Sequence, residues 1–147
     1  MRVILQRVTS SSVVIDGKCV GKSGLGYMLL VGFTHDDTEK DIDYMIDKII
    51  HLRVFSDKDG NMNLSLEDVK GSILSISQFT LYADARKGRR PSFIEAMRPE
   101  KATILYDLFN QKLKETGIPV ETGIFGADMK VTLTNDGPVT ICLESRK

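Results

Sequence analysis

Cysteine, histidine and long apolar runs are all scarce in this sequence of 147 residues. The two cysteines, Cys19 and Cys142, form neither a disulfide framework nor a metal-binding spacing, and each reads as a small strand residue. The two histidines, His35 and His51, have no second ligand at metal spacing, so both read as structural and no metal or organic cofactor is expected. Their scarcity also bears on hydrolysis. A serine or threonine nucleophile ordinarily needs a neighbouring base, usually histidine, so a hydrolase built on this chain is expected to lack the familiar triad. The opening MRVILQRVTS has only the short apolar run Val3 to Leu5, too little for a signal peptide. Tyr27 to Val31 is strand-sized and far short of a membrane span. Net charge is missing too: 20 basic and 20 acidic residues cancel, so any nucleic-acid contact has to come from a local patch. There is no internal repeat and no low-complexity linker. A cytoplasmic protein with no membrane partner is the expectation.

What is present is ordinary for a globular chain: 41% hydrophobic and 27% charged residues. One domain over 1–147 is expected, able to hide roughly 68–70% of its unfolded surface. Val3 and Leu5 alternate with Ile4 and Gln6, and strands at 12–15 and 18–20 flank Asp16-Gly17, a hairpin signal. Gly26 to Phe33 is nearly all apolar, which predicts a central strand. Asp36 or Thr38 can cap a helix whose Ile42, Met45, Ile46, Ile49 and Ile50 share one face. Residues 56–61 form a turn-rich loop. The alternation of Ile73, Ser75, Ser77, Phe79 and Leu81 predicts one long strand over 71–82. A basic loop with a short helical turn follows over 84–98. A second helix starts at Pro99 and runs to about Thr116, with Leu105, Leu108, Phe109 and Lys112–Leu113 inward. Short strands are expected at 119–122, 130–134 and 138–143. The fold class is α+β, with mostly antiparallel, barrel-like strands and two main helices.

Two familiar motifs fail on inspection. Gly21-Lys22-Ser23 would need a glycine at position 16 to make a phosphate loop, but Asp16 stands there and the segment leads into a strand. Asp57-Lys58-Asp59-Gly60-Asn61 resembles part of a calcium loop, yet Met62 takes the glycine position and Asp68 the glutamate position. An acidic turn is the better reading.

Two other segments do not fail. Ser77-Gln78-Phe79-Thr80 puts two hydroxyls and an amide together, with Ser77 and Phe79 expected on one strand face and Gln78 and Thr80 on the other. Asn135-Asp136-Gly137-Pro138-Val139-Thr140 places a donor-free proline between two strand patterns, where a tight turn needs only Asn-Gly or Asp-Gly. Each alone reads as sheet or loop. Together, SQFTL at 77–81 and NDGPVT at 135–140 resemble the D-aminoacyl-tRNA deacylase family, also called D-tyrosyl-tRNA deacylase. The MRVILQRVTSSSV opening, the ARKGRRPSF loop and the TGIFGADMKV stretch follow the same family order along the whole chain.

The resemblance implies a homodimeric enzyme that hydrolyses the ester joining a D-amino acid to tRNA, and spares L-aminoacyl-tRNA. Gly137 and Pro138 would form a cis pair that enters the partner subunit's site and sets chiral selectivity. Glycine has no side chain to reject, so glycyl-tRNA, including glycine mischarged on tRNA-Ala, is a second expected substrate. Ser77, Gln78, Phe79 and Thr80 would carry the chemistry. Two accounts stay open: Thr80 attacks as a nucleophile, or backbone N–H groups at Gln78–Thr80 stabilise the oxyanion while the RNA 2′-OH assists water. Phe125, Ala127 and Met129 match a stretch beside the pocket, with a core role open for Phe125 and Met129.

Arg86, Lys87, Arg89 and Arg90 form a basic loop just after SQFTL. A solvated loop is the bland reading; beside the proposed site it reads as a tRNA phosphate contact, with no DNA partner expected. Phe93 is available to stack on a single-stranded 3′ end. Two rivals remain: an RNA-binding module without catalysis, and a hydrolase of free D-amino-acid esters that would not need the basic loop.

Overall fold

The computed structural model describes residues 1–145. β1 (Arg2–Ile15) and β2 (Lys18–Ser23) pair as an antiparallel hairpin, with φ of 50° at Asp16 and 79° at Gly17. Positive φ at both tip residues is the primed turn whose twist suits a hairpin. β3 (Gly26–Gly32) returns antiparallel to the first half of β1. α1 (Glu39–His51) is capped by Thr38: its hydroxyl accepts from the Lys40 N–H, and its own N–H donates to Asp41 Oδ2 at 2.8 Å. A two-stranded ribbon, β4 (Phe55–Ser56) and β5 (Met62–Leu64), precedes β6 (Ser72–Ser77). α2 (Pro99–Glu115), β7 (Val120–Thr122) and β8 (Lys130–Glu144) complete the order.

β3 is apolar on both faces because both faces are covered. Tyr27, Leu29 and Val31 join Val3, Leu5, Ile42, Met45, Ile49, Phe109 and Leu113 in the larger core under the helices. Met28 turns the other way, to Val8, Val13, Leu74 and Ile76. The sheet curls until β2 reaches β7, where the Lys22 N–H donates to Glu121 Oε1 at 3.0 Å. The result is nearly a barrel. The Met1 ammonium is buried and sits 2.8 Å from Asp37 Oδ1, fixing the start of β1 beside the loop that leads into α1.

The fold departs from the sequence expectation in four places. The sheet is mixed, since β6 runs parallel to β3 and β7 parallel to β6. The strand predicted over 71–82 ends at Ser77, and Phe79–Tyr82 form a 3₁₀ turn; the alternating faces expected for Ser77 to Thr80 therefore do not exist. The inner face of α2 centres on Ala102, Tyr106, Phe109, Asn110 and Leu113, while Leu105 and Leu108 pack only half-buried. The strands expected at 130–134 and 138–143 are one element.

β8 never reverses. Val131 to Thr134 pair with Val13 to Ser10, and Thr140 to Glu144 continue in the same direction against Gln6 to Arg2. The residues between them make a wide bulge at the register shifts around Val8. Before it, Val131 and Leu133 pack on the inner cluster; after it, Ile141 and Leu143 pack under the helices. The Gly-Pro thus marks where a long two-stranded ribbon crosses from one core to the other.

Gly26 gives a clean test of this packing. Its φ is +152° and an added Cβ would lie 1.8 Å from the Ser72 carbonyl oxygen, between β3 and β6, whereas Gly24 has open space. Gly26→Ala is expected to lose more than about 4 kcal/mol or fail to fold, and Gly24→Ala to stay within about 0.5 kcal/mol, as read from denaturant unfolding.

Candidate active site

β6 and β7 stay paired only as far as Ser75 and Thr122. Beyond that point the strands part, and the gap between them is the candidate site. Ser77, Gln78 and Phe79 line one wall, and Phe125, Gly126, Ala127, Met129 and Val131 the other, around a cavity of about 240 Å³. The structure therefore brings Ser77, Gln78 and Phe79 together with Phe125, Ala127 and Met129. A larger groove of about 470 Å³ lies between α2 and β7, lined by polar residues such as Asp107, Gln111 and Glu115. None of its lining residues belongs to the SQFT segment.

The 3₁₀ turn decides which groups are free. The Gln78 N–H donates to the Val31 carbonyl at 2.7 Å, so it is already engaged. The turn's first hydrogen bond runs from the Leu81 N–H to the Gln78 carbonyl. The N–H groups of Phe79 and Thr80 precede it, and neither donates to another described residue. The Thr80 hydroxyl accepts from Gln78 Nε2 at 2.5 Å. Among the described residues no histidine hydrogen-bonds to it: His35 Nε2 donates to the Ile94 carbonyl at 2.6 Å, and His51 Nδ1 to the Asp47 carbonyl at 2.9 Å. An amide donating to the threonine oxygen draws electron density away from it, the reverse of activation.

The loop after the turn is fastened across the opening. Asp84 and Ser92 exchange backbone hydrogen bonds of 2.8 Å, and the Met97 N–H donates to the Phe33 carbonyl at 3.0 Å. Phe93 meets Phe79 edge-on, ring centroids 5.1 Å apart. Within the basic loop, Arg86 is committed: Nε and Nη2 donate to the two Asp84 carboxylate oxygens at 2.9 and 2.8 Å. Those bonds hold the Asp84 carboxyl down to about 2. Lys87, Arg89 and Arg90 are exposed and make no ion pair among the described residues.

Gly137 and Pro138 do not line this cavity; they stand exposed on the bulge of β8. Their peptide bond is cis, and Gly137 has φ of +132°. A Cβ there would come within 2.8 Å of Val139 Cγ2 and 3.0 Å of Arg7 Nη2, so only glycine fits. Two side chains pin the corner. Asn135 Oδ1 accepts from the Val139 N–H at 2.8 Å. Arg7, 8% exposed, donates from Nε to the Asp136 carbonyl at 2.9 Å and from Nη1 to the Val54 carbonyl at 2.6 Å.

Arg7 is the residue that sequence reading passed over. Its signal was there: Val3, Leu5 and Arg7 fall on one strand face, and a charge on a buried face needs carbonyl or carboxylate partners. Among the described residues, no group of three His, Cys, Asp or Glu side chains is arranged to hold a metal ion, and no helix is long and apolar enough to cross a membrane.

The family described as D-Tyr-tRNA(Tyr) deacylase matches residues 4–144. The D-aminoacyl-tRNA deacylase of Limosilactobacillus reuteri (strain DSM 20016) is 62% identical over 98% of this chain and 99% of its own length. That of Bacillus pumilus (strain SAFR-032) is 58% identical over the full length of both. Of solved structures, one described as c-Myc DNA Unwinding Element Binding Protein superposes with a TM-score of 0.94 and 41% identity, covering 100% of both chains. A probable eukaryotic D-amino acid tRNA deacylase shares the fold with a TM-score of 0.82 at 21% identity, over 97% of this chain and 98% of its own.

Replacing Arg7 by Met would leave the Val54 and Asp136 carbonyls without their donor. Unfolding free energy is expected to fall by about 2–5 kcal/mol, measured by urea denaturation; an unchanged midpoint would mean that the guanidinium is not what holds the bulge.

Proposed function

The chain belongs to the D-Tyr-tRNA(Tyr) deacylase family, and from that premise we propose that it hydrolyses the ester between a D-amino acid and the 3′ end of tRNA. It acts as one domain, in the cytoplasm and as a homodimer. The observation that carries the mechanism is a small cavity walled by Ser77–Phe79 and Phe125–Met129, with two unengaged backbone N–H groups at Phe79 and Thr80 and, among the described residues, no histidine hydrogen-bonded to Thr80.

Water attacks the ester carbonyl carbon, and the oxyanion that forms is met by the Phe79 and Thr80 N–H groups. Fixed donors aimed at developing charge are worth more than their ground-state hydrogen bonds. The substrate's own 2′-OH assists the water. The tetrahedral intermediate then collapses: the C–O bond to the ribose breaks, the 3′-oxygen takes a proton, and the free D-amino acid leaves. Gln78 orients this segment through its bond to Thr80 Oγ1.

Selectivity comes from the exposed corner at Gly137-Pro138. It does not line its own chain's cavity, which supports its reaching that of a second copy. Pinned by Arg7 and Asn135, its backbone carbonyls accept from the substrate α-ammonium and leave no room where an L side chain would project. Glycyl-tRNA, including glycine mischarged on tRNA-Ala, passes the same filter. Lys87, Arg89 and Arg90 contact tRNA phosphates, with Arg86 reaching them from its place on Asp84. The Phe79–Phe93 pair offers a stacking surface to the terminal base.

Release of amino acid from D-Tyr-tRNA, L-Tyr-tRNA and Gly-tRNA tests the reading. The D and glycyl esters are expected to be lost and the L ester spared; equal loss of D and L would sink the corner's role. Thr80→Ala is expected to keep its rate within about tenfold, because removing a true nucleophile would cost on the order of a thousandfold or more.

Reversing Lys87, Arg89 and Arg90 to Glu separates the rivals. KM for the tRNA ester should rise with kcat little changed, and the slope of log affinity on log salt should flatten by about 0.7–0.9 for each phosphate no longer neutralised. A free D-Tyr ester that is turned over well and ignores the triple change would favour the small-ester hydrolase. Competition by duplex DNA at equal affinity would favour a DNA-binding role.

A further inference from the structure

The point where β6 and β7 part is held by one buried side chain that comes from neither strand. Tyr106, on α2 and 2% exposed, donates its phenolic O–H to the Ser75 carbonyl at 2.8 Å. The same carbonyl accepts the Gly123 N–H at 3.3 Å, and Ser75 with Thr122 is the last paired position of the ladder. Ser75 Oγ donates back to the phenol at 3.5 Å. The Tyr106 ring also lies against Phe125 of the opposite wall, centroids 5.9 Å apart. One residue thus touches the last fixed point of the Ser77–Phe79 wall and the first aromatic of the other.

We propose that the Tyr106 hydroxyl is a positioning residue for the ester hydrolysis: by clamping the Ser75 carbonyl where the ladder ends, it sets the direction in which β6 delivers the Phe79 and Thr80 N–H groups to the cavity. The proposal rests on the deacylase reading above. Packing alone does not account for the hydroxyl, since phenylalanine would fill the same space without burying a polar group. Burial raises the phenol's pKa, and hydrogen bonds from Ser75, Asn110 and the Ser77 amide offset this only in part, so it remains a donor at neutral pH. Asn110 turns its side-chain amide to this phenol.

Tyr106→Phe tests this with D-Tyr-tRNA, at a temperature well below the melting point of either protein. A misdirected set of donors lowers the chemical step and not the binding of tRNA, so kcat is expected to fall about tenfold while KM holds within about twofold. A kcat within about twofold of wild type, or a rise in KM with kcat unchanged, overturns the proposal. If Tyr106→Phe does not fold, Asn110→Ala carries the test. It keeps ring and hydroxyl and removes the amide that orients them, and a kcat loss under about threefold would overturn the proposal as well. Wild-type protein that leaves D-Tyr-tRNA intact defeats the deacylase reading itself, whereas an active wild type with an equally active Tyr106→Phe defeats only the clamp.

Discussion

The crossing of the β1–β8 ribbon from one core to the other depends on a guanidinium. At that crossing the ladder loses register on both sides of Val8. Arg7 bridges the bulge to the segment after α1, donating to the Asp136 carbonyl of β8 and to the Val54 carbonyl. An arginine can do this because its planar fork carries several donors in fixed directions and stays charged at any pH of interest. Its burial is tolerable only while those carbonyls are present, so side chain and bulge require one another. The exposed Gly137-Pro138 corner is the outer surface of that arrangement. The corner is fixed from inside the sheet, as the proposed role in selecting substrate requires.

The cavity arises from a second interruption of regular pairing. Parallel β6 and β7 are paired over a short stretch only, and the chain on either side of the split folds into walls. A strand end is a good place for chemistry because its next backbone groups are no longer claimed by a neighbour. Here one such group, the Gln78 N–H, is still claimed by Val31, which narrows the unengaged donors to Phe79 and Thr80. The two interruptions lie on different parts of the sheet, one presenting a cavity and the other a corner. A single copy therefore presents cavity and corner without joining them.

Local pattern was enough for much of this. The Asp16-Gly17 turn, the apolar β3 and the helix beginning after Thr38 were all legible, because each is set by neighbours in sequence. The 3₁₀ turn was not. Ser77, Phe79 and Leu81 continue the strand alternation of Ile73 and Ser75 without a break, and only the loss of a pairing partner ends the strand. The parallel pairing of β3 with β6 was equally hidden, since alternation says nothing about which strand lies alongside. The bulge in β8 reads as a turn because Asp-Gly-Pro is turn chemistry; that β1 is long enough to pair with both flanks is a property of the other end of the chain. Most of the candidate site came from the family resemblance. Tyr106 was missed because it acts through a backbone carbonyl, which leaves no mark in a sequence; for Arg7 the mark was its place on the buried face of Val3 and Leu5, though not the carbonyls it would meet.

A site without a base restricts the chemistry it can support. An amide or a phosphate ester would need an activated nucleophile or a strong acid; the Thr80 oxygen accepts from Gln78, and among the described residues neither histidine is hydrogen-bonded to it. An aminoacyl ester is already labile and carries a hydroxyl beside the reacting carbon. For such a substrate, fixed donors and exclusion of the wrong enantiomer suffice. On the proposed mechanism the catalytic demand falls on geometry, on holding two N–H groups and one corner in place. Arg7 and Tyr106 would meet that demand from the interior, where packing keeps a side chain in one rotamer, and the exposed Lys87, Arg89 and Arg90 would hold a large polyanion without reading its sequence.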